Sequence, residues 1–181
     1  MKKIIFSFFT LLSVVTFAQT KYFTRNGVIS FDSDAPMEKI HGDNKQVNVI
    51  LNPQTGEVAY KVVMKSFLFD KQAMTDHFNN DYLETDKIPN ATFSGKIVDK
   101  IDYTKNGTYD VTVEGKLTIH GITHDVKQKG KLTIADGKIT TKGTFNILLS
   151  DYGVKVPNNY VKKINNNVVI AVDATLTPYQ R

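Results

Sequence analysis

The four histidines of this chain are its most versatile chemical groups, because imidazole moves protons and ligates metals near neutral pH. His120 and His124 stand four apart around Gly121-Ile122-Thr123, a spacing that on a helix would aim both rings at one metal ion. No Glu lies between them, and the residues around them alternate as a strand–turn–strand corner. Both therefore read as turn or surface residues. His41 stands alone before Gly42 in what reads as a loop. His77 lies beside Phe78, with Asp76 and Asp81 near it, in a helical stretch. It is placed to offer a polar contact at the mouth of a ligand site. The carboxylates Asp81, Glu84 and Asp86 gather where that stretch ends and read as solvated groups rather than an acid–base pair. The sequence holds no Gly-x-Ser-x-Gly elbow, no phosphate-binding glycine loop and no arrangement suggesting a Ser-His-Asp triad. The chain has no cysteine, which removes thiol catalysis, Cys-based metal sites and disulfides together. The expectation is a protein that is not an enzyme, with no metal and no cofactor.

The elements that carry these residues are strands. Tyr109, Val111, Val113, Leu117 and Ile119 share one face, while Asp110, Thr112, Glu114, Lys116 and Thr118 share the other. The same period of two runs through Val58 to Met64, Phe93 and Ile97, Val126 to Ile134, Ile139 to Leu149, and Val168 to Leu176. Asn52 to Gly56, Asn106-Gly107 and Asp136-Gly137 supply turn residues that join adjacent antiparallel strands. The count comes to about eight or nine strands, an all-β domain. Closure into a single antiparallel β-barrel of about eight strands would remove the sheet's edges.

One segment departs from this pattern. Asp70 to Glu84 carries Ala73, Met74, His77, Phe78, Asp81 and Tyr82 at spacings of three and four, which predicts a short amphipathic helix with Asp70 as its N-cap. The mouth or end of the barrel is the place for it. The residues expected to line the interior are Phe69, Phe78, Phe93, Leu117, Ile119 and Phe145, with His77 and Asn80 as polar groups at the mouth. Periodicity leaves two interiors open. One is a hollow that takes an apolar chain. The other is a solid core, as in an exported stress or interaction protein with no lipid ligand.

The start of the chain has the layout of a secretory signal peptide. Lys2 and Lys3 precede an apolar run from Ile4 to Phe17, and Thr16-Phe17-Ala18 fits cleavage after Ala18. A signal peptide over 1–18 and a domain over 19–181, periplasmic or secreted, are the expectation. The apolar run is shorter than the ~20 residues of a spanning helix, and charge interrupts each later run, so no stable membrane span is expected. Loss of Lys2 and Lys3 takes Lys and Arg from 23 to 21 against 18 acidic residues, a net charge of +3. Lys127, Lys129 and Lys131 alternate along a strand as a solvated face, unlike the clustered patch with stacking aromatics that binds nucleic acid. Oligomeric state is not legible here, and a homodimer is left open.

Specific residues then add a resemblance. His77-Phe-Asn-Asn-Asp-Tyr-Leu-Glu-Thr-Asp-Lys-Ile-Pro-Asn-Ala-Thr-Phe-Ser-Gly95 resembles the central signature of the YceI-like family. There a His or similar polar residue opens a short helix and a Pro precedes a Thr-Phe strand. Leu117-Thr-Ile-His-Gly-Ile-Thr-His-Asp-Val126 is similar to a second signature, a strand ending in a His-Gly or Arg-Gly turn. Asp151-Tyr-Gly153 gives a third, weaker match. The likeness runs in order over roughly Val58 to Leu176. It implies an exported, lipocalin-like, extended antiparallel barrel that binds polyisoprenoids or other long-chain amphiphiles, in a family with no agreed catalytic residues. The N-terminal part departs from the common pattern of a Trp strand and a Ser-x-Val-x-Phe run, since this chain has no Trp.

Overall fold

Long alternating strands form a sheet that must dispose of two edges lined with backbone donors and acceptors. Over residues 20–179, which this computed structural model describes, the sheet does so by closing on itself. The predicted signal peptide lies outside the described residues. The strands are β1 (Lys21–Asp34), β2 (Lys39–Leu51), β3 (Glu57–Val63), β4 (Leu68–Phe69), β5 (Asn90–Ile97), β6 (Gly107–Ile119), β7 (Ile122–Ala135), β8 (Lys138–Leu148) and β9 (Asn167–Tyr179). Around the ring they run β1-β2-β3-β5-β6-β7-β8-β9, and β9 returns to β1 with all neighbours antiparallel. The two-residue β4 adds to β2, Gly42 opposite Phe69. The architecture is the expected all-β barrel of eight strands, with one short strand and one short helix added.

Two hairpins turn on pairs of residues with positive φ. They are His120-Gly121 (49° and 77°) and Asp136-Gly137 (51° and 70°), the combination that matches the twist of the flanking strands. Asn106-Gly107 is not such a turn. It ends a longer connection over 98–106, where the Asp102 carboxylate accepts the N–H and O–H of Thr104 at 3.1 and 2.6 Å. His41 is not in a loop either. It lies in β2 opposite Asp32 of β1, held between Asp32 at 2.6 Å and Asp43 at 3.2 Å. The hydrogen bond to Asp32 raises its pKa above the ordinary imidazole value.

The expected helix over 70–84 is shorter and changes type. The α-helix α1 spans Gln72–His77, and Lys71, not Asp70, holds the N-cap position without a side-chain cap. The chain then widens into a π-helical turn over Phe78–Tyr82, where the Leu83 N–H donates to the Phe78 carbonyl at 3.0 Å. Residues five apart on an α-helix point about 140° away from each other. The wider turn brings Phe78 and Leu83 toward one side, and both are buried. Thr85 locks it, giving its N–H to the Asn79 carbonyl and its O–H to the Asn79 side chain, each at 2.9 Å.

The interior is divided. Toward the end where β1 begins and β9 finishes, Val47, Val49, Leu51, Leu132, Ile139 and Leu176 pack it solid, each no more than 1% exposed. The opposite end carries α1, the His120-Gly121 hairpin and the long connection between β8 and β9. There the wall is thinned by two facing glycines, Gly95 and Gly115, with the Phe93 ring over them. A Cβ on Gly115 would sit 2.4 Å from the Gly95 Cα and 2.9 Å from the Phe93 ring. Gly115→Val is expected to cost about 1–3 kcal/mol by overpacking, read as a lower urea midpoint. Gly143→Ala, whose Cβ meets nothing nearer than 3.7 Å, should leave that midpoint nearly unchanged.

Candidate functional site

The less densely packed end of the barrel holds a cavity of about 510 Å³ with an overwhelmingly apolar wall. β4, the π-helical turn and β5 bring Phe69, Phe78 and Phe93 to it, while β6 and β8 supply Leu117, Ile119 and Phe145. His77 stands at its rim on the last turn of α1, exposed, donating its Nδ1–H to Asp81 at 2.5 Å. Asn80 is exposed and does not reach the wall.

Several wall residues escaped the sequence reading. Phe31 of β1 and Phe67 before β4 join Phe69 and Phe78 in a ring cluster under α1, with centroids 5.0 Å apart for Phe69–Phe78 and 5.4 Å for Phe67–Phe78. Such tilted pairs each contribute about 0.5–1.5 kcal/mol beyond their burial. Phe31 was concealed by a bulge in β1 near Gly27, which shifts the inward positions from Tyr22 to Gly27, Ile29 and Phe31. The floor is also new. Tyr60 of β3 reaches across the barrel to Thr141 of β8, hydroxyl to hydroxyl at 2.9 Å, and its ring stacks edge-on to Phe93. Burial raises the Tyr60 pKa, partly offset by that hydrogen bond.

The rim is polar and largely self-paired. Lys71 meets Glu38 at 3.1 Å, and Lys163 lies over the Tyr160 ring at 5.9 Å from its centroid. His120 and His124 hold the fold together beside it. His120 Nδ1–H donates to the Tyr152 carbonyl at 3.2 Å and His124 Nε2–H to the Asp151 carbonyl at 2.9 Å, so the two rings use opposite nitrogens as donors. The His124 ring also packs edge-on against Tyr152. These bonds tie the Leu117–Val126 hairpin to Asp151-Tyr152-Gly153, two segments that the sequence reading singled out separately. Glu84 lies 3.6 Å from His120 Nε2, and its own pKa is lowered, first by its hydrogen bond from Lys87.

Fold and hollow together define a lipocalin-like, all-β barrel with an apolar chamber at one end. The chain belongs to the YceI-like family, whose domain matches residues 14–176. No curated protein matches it. Among solved structures it is similar to a polyisoprenoid binding domain from Saccharophagus degradans implicated in plant cell wall breakdown, at 12% identity and a TM-score of 0.74, over 90% of this chain and 99% of that one. BcnA of Burkholderia cenocepacia follows at 19% identity and 0.70, over 83% and 96%. The Campylobacter jejuni YCEI protein is 15% identical at 0.58 over the full length of both. At these identities the likeness is one of fold.

The Tyr60 floor has a pH signature. A tyrosine whose folded pKa is raised contributes stability that is present below about pH 10 and lost as pH rises through the folded value. Melting temperature should therefore fall from pH 9 to 11, and Tyr60→Phe should reduce that slope while lowering stability at pH 7 by about 0.5–1.5 kcal/mol.

Proposed function

We propose that this protein is a non-enzymatic carrier or reservoir holding a long-chain apolar or amphiphilic molecule, of the polyisoprenoid, isoprenoid quinone or fatty-acid kind, in the chamber beneath α1. The observation that carries this reading is the cavity of about 510 Å³, walled by Phe, Leu, Ile and Val, at one end of a barrel whose other end is solid. That volume falls within the roughly 300–1,000 Å³ of small-molecule sites. The structural neighbour described as a polyisoprenoid binding domain supports the ligand class. At about 25 cal/mol per Å² of apolar surface removed from water, a tail of several isoprene units binds without a polar anchor. Discrimination between chain lengths is then weak, since one methylene more or less in an apolar pocket changes little.

The ligand's head group sits at the rim beside His77 and Lys163, while Asn80, expected there together with His77, stands exposed outside the wall. His120 and His124 are bound to backbone carbonyls, which supports a structural role for the residues that looked most chemical. Cleavage after Ala18 and export complete the reading, with the carrier working outside the cytoplasm.

Solvent extraction and native mass spectrometry of the purified protein should find a long-chain molecule. Phe93→Asp and Phe145→Asp, scored only where far-UV circular dichroism shows a folded barrel, should lose it. Asp76→Asn, on the exposed side of α1, should retain it. Equal retention in all variants, or a parent protein that is repeatedly empty and takes up no apolar dye, overturns the carrier.

A further inference from the structure

The wall of the barrel is not zipped to the same depth all round. β6 and β7 pair along their whole length, from Gly107 opposite Ile134 to Ile119 opposite Ile122. β8 and β9 pair from Ile139 opposite Leu176 to Leu148 opposite Asn167. Between them, β7 and β8 pair only from Ala135 opposite Lys138 to Gly130 opposite Gly143. Beyond that glycine pair, Ile122–Lys129 stays with β6 and Thr144–Leu148 stays with β9. Among the described residues no backbone ladder and no side-chain hydrogen bond joins the two half-strands. The result is a slot, pointed at Gly130 and Gly143. Its wide end is bounded by the turn over Leu149–Tyr152, which His120 and His124 hold.

The slot opens into the chamber. Lys129, Lys131 and Lys142 alternate with the inward residues of β7 and β8 and so belong to the outer face, yet they border the same cavity as Val126, Phe145 and Ile147. A separate outer furrow of about 570 Å³ shares Lys129, Gly130, Lys131, Lys142, Gly143 and Val172 with the chamber. The wall has another short ladder, between β2 and β3, and there it is sealed. The wholly buried Asn44 of β2 donates its Nδ2–H to the Val63 carbonyl of β3 at 2.8 Å. No such side chain crosses the β7–β8 slot among the described residues.

Resting on the carrier reading above, we propose that the ligand enters and leaves the chamber sideways, through the slot between Ile122–Lys129 and Thr144–Leu148. Passage past α1 would have to part the Phe31, Phe67, Phe69 and Phe78 rings and the lock between Asn79 and Thr85. Passage through the slot breaks no ladder bond, because none is made there. The facing edges carry backbone N–H and C=O groups that water satisfies when the slot is empty. An apolar chain crosses this polar rim while its remainder is already inside, and at the apex Gly143 has no side chain and nothing nearer than 3.7 Å to where a Cβ would stand.

The absence of cysteine makes the test direct. If the β7–β8 register continued, Lys127 would face Asn146, both on the outer face. Lys127→Cys with Asn146→Cys, bridged by a cleavable bis-thiol reagent, staples the slot. Thr133→Cys with Thr140→Cys places the same bridge where the strands are already paired and serves as the control. Uptake and release of N-phenyl-1-naphthylamine are followed by stopped-flow fluorescence. The slot staple should slow both at least tenfold and the rates should recover on cleavage, with the control within twofold of the parent. Gly143→Leu, which fills the apex with a side chain, should slow both in the same direction. Rates within twofold of the parent in the stapled protein and in Gly143→Leu overturn the side route while leaving the carrier standing. Equal slowing by both staples also overturns it. A parent that takes up no dye sinks the carrier reading, and the route with it.

Discussion

β1 bonds to β2 along one edge and to β9 along the other, and this double pairing turns an alternating sheet into a vessel. A flat sheet with one apolar face must find another layer to cover it, whereas a closed one covers itself. Once the ring is shut, every second side chain of eight strands meets the others in a single interior, and its volume is set by their sizes. The bulge at Gly27 belongs to the same constraint. It lets β1 keep both neighbours while shifting which of its residues face in, and Gly27 has so little room that a Cβ there would lie 3.1 Å from the Val47 carbonyl.

Within that interior the sequence spends its residues unevenly. Branched aliphatics of high burial fill one end, and aromatic rings laid over glycines wall the other. Phe69 covers Gly42 of the facing strand, as Phe93 covers Gly95 and Gly115. A ring resting on glycine stays close to the wall and leaves the axis free. Tyr60 and Thr141 mark the boundary between the two regimes, one hydrogen bond joining strands on opposite sides of the ring. The cover is held by means other than length. α1 is too short to be stable alone and lacks a side-chain cap, so its position comes from the phenylalanine cluster below and the Asn79–Thr85 contacts after it.

The local periodicities carried much of this, because whether a side chain faces in or out is decided within a strand. Leu117, Ile119, Phe93 and Phe145 lie on the wall for that reason, and the two-residue turns at His120-Gly121 and Asp136-Gly137 follow from backbone preferences of the same range. What escaped depends on partners far away in sequence. Nothing around Tyr60 announces Thr141, nothing around His124 announces the Asp151 carbonyl, and no local pattern says that β7 and β8 part at Gly130. The π-helical turn was invisible for a related reason. A period of three and four fits a regular helix, and only the need to bury Phe78 and Leu83 together widens it.

The closing ladder sets Lys21 against Tyr179, at the two extremes of the described chain. A barrel shut by its first and last strands cannot complete its hydrogen bonding until nearly all of it is present, and such distant pairings make folding slow. Until then β1 offers one unpaired edge and β8 another, and each strand has an apolar face beside that open edge, a combination that pairs readily with a second chain. The protein's vulnerable moment is therefore its assembly. A single cleavage that releases either terminal strand would undo the closure, and the remaining sheet would be a template for aggregation.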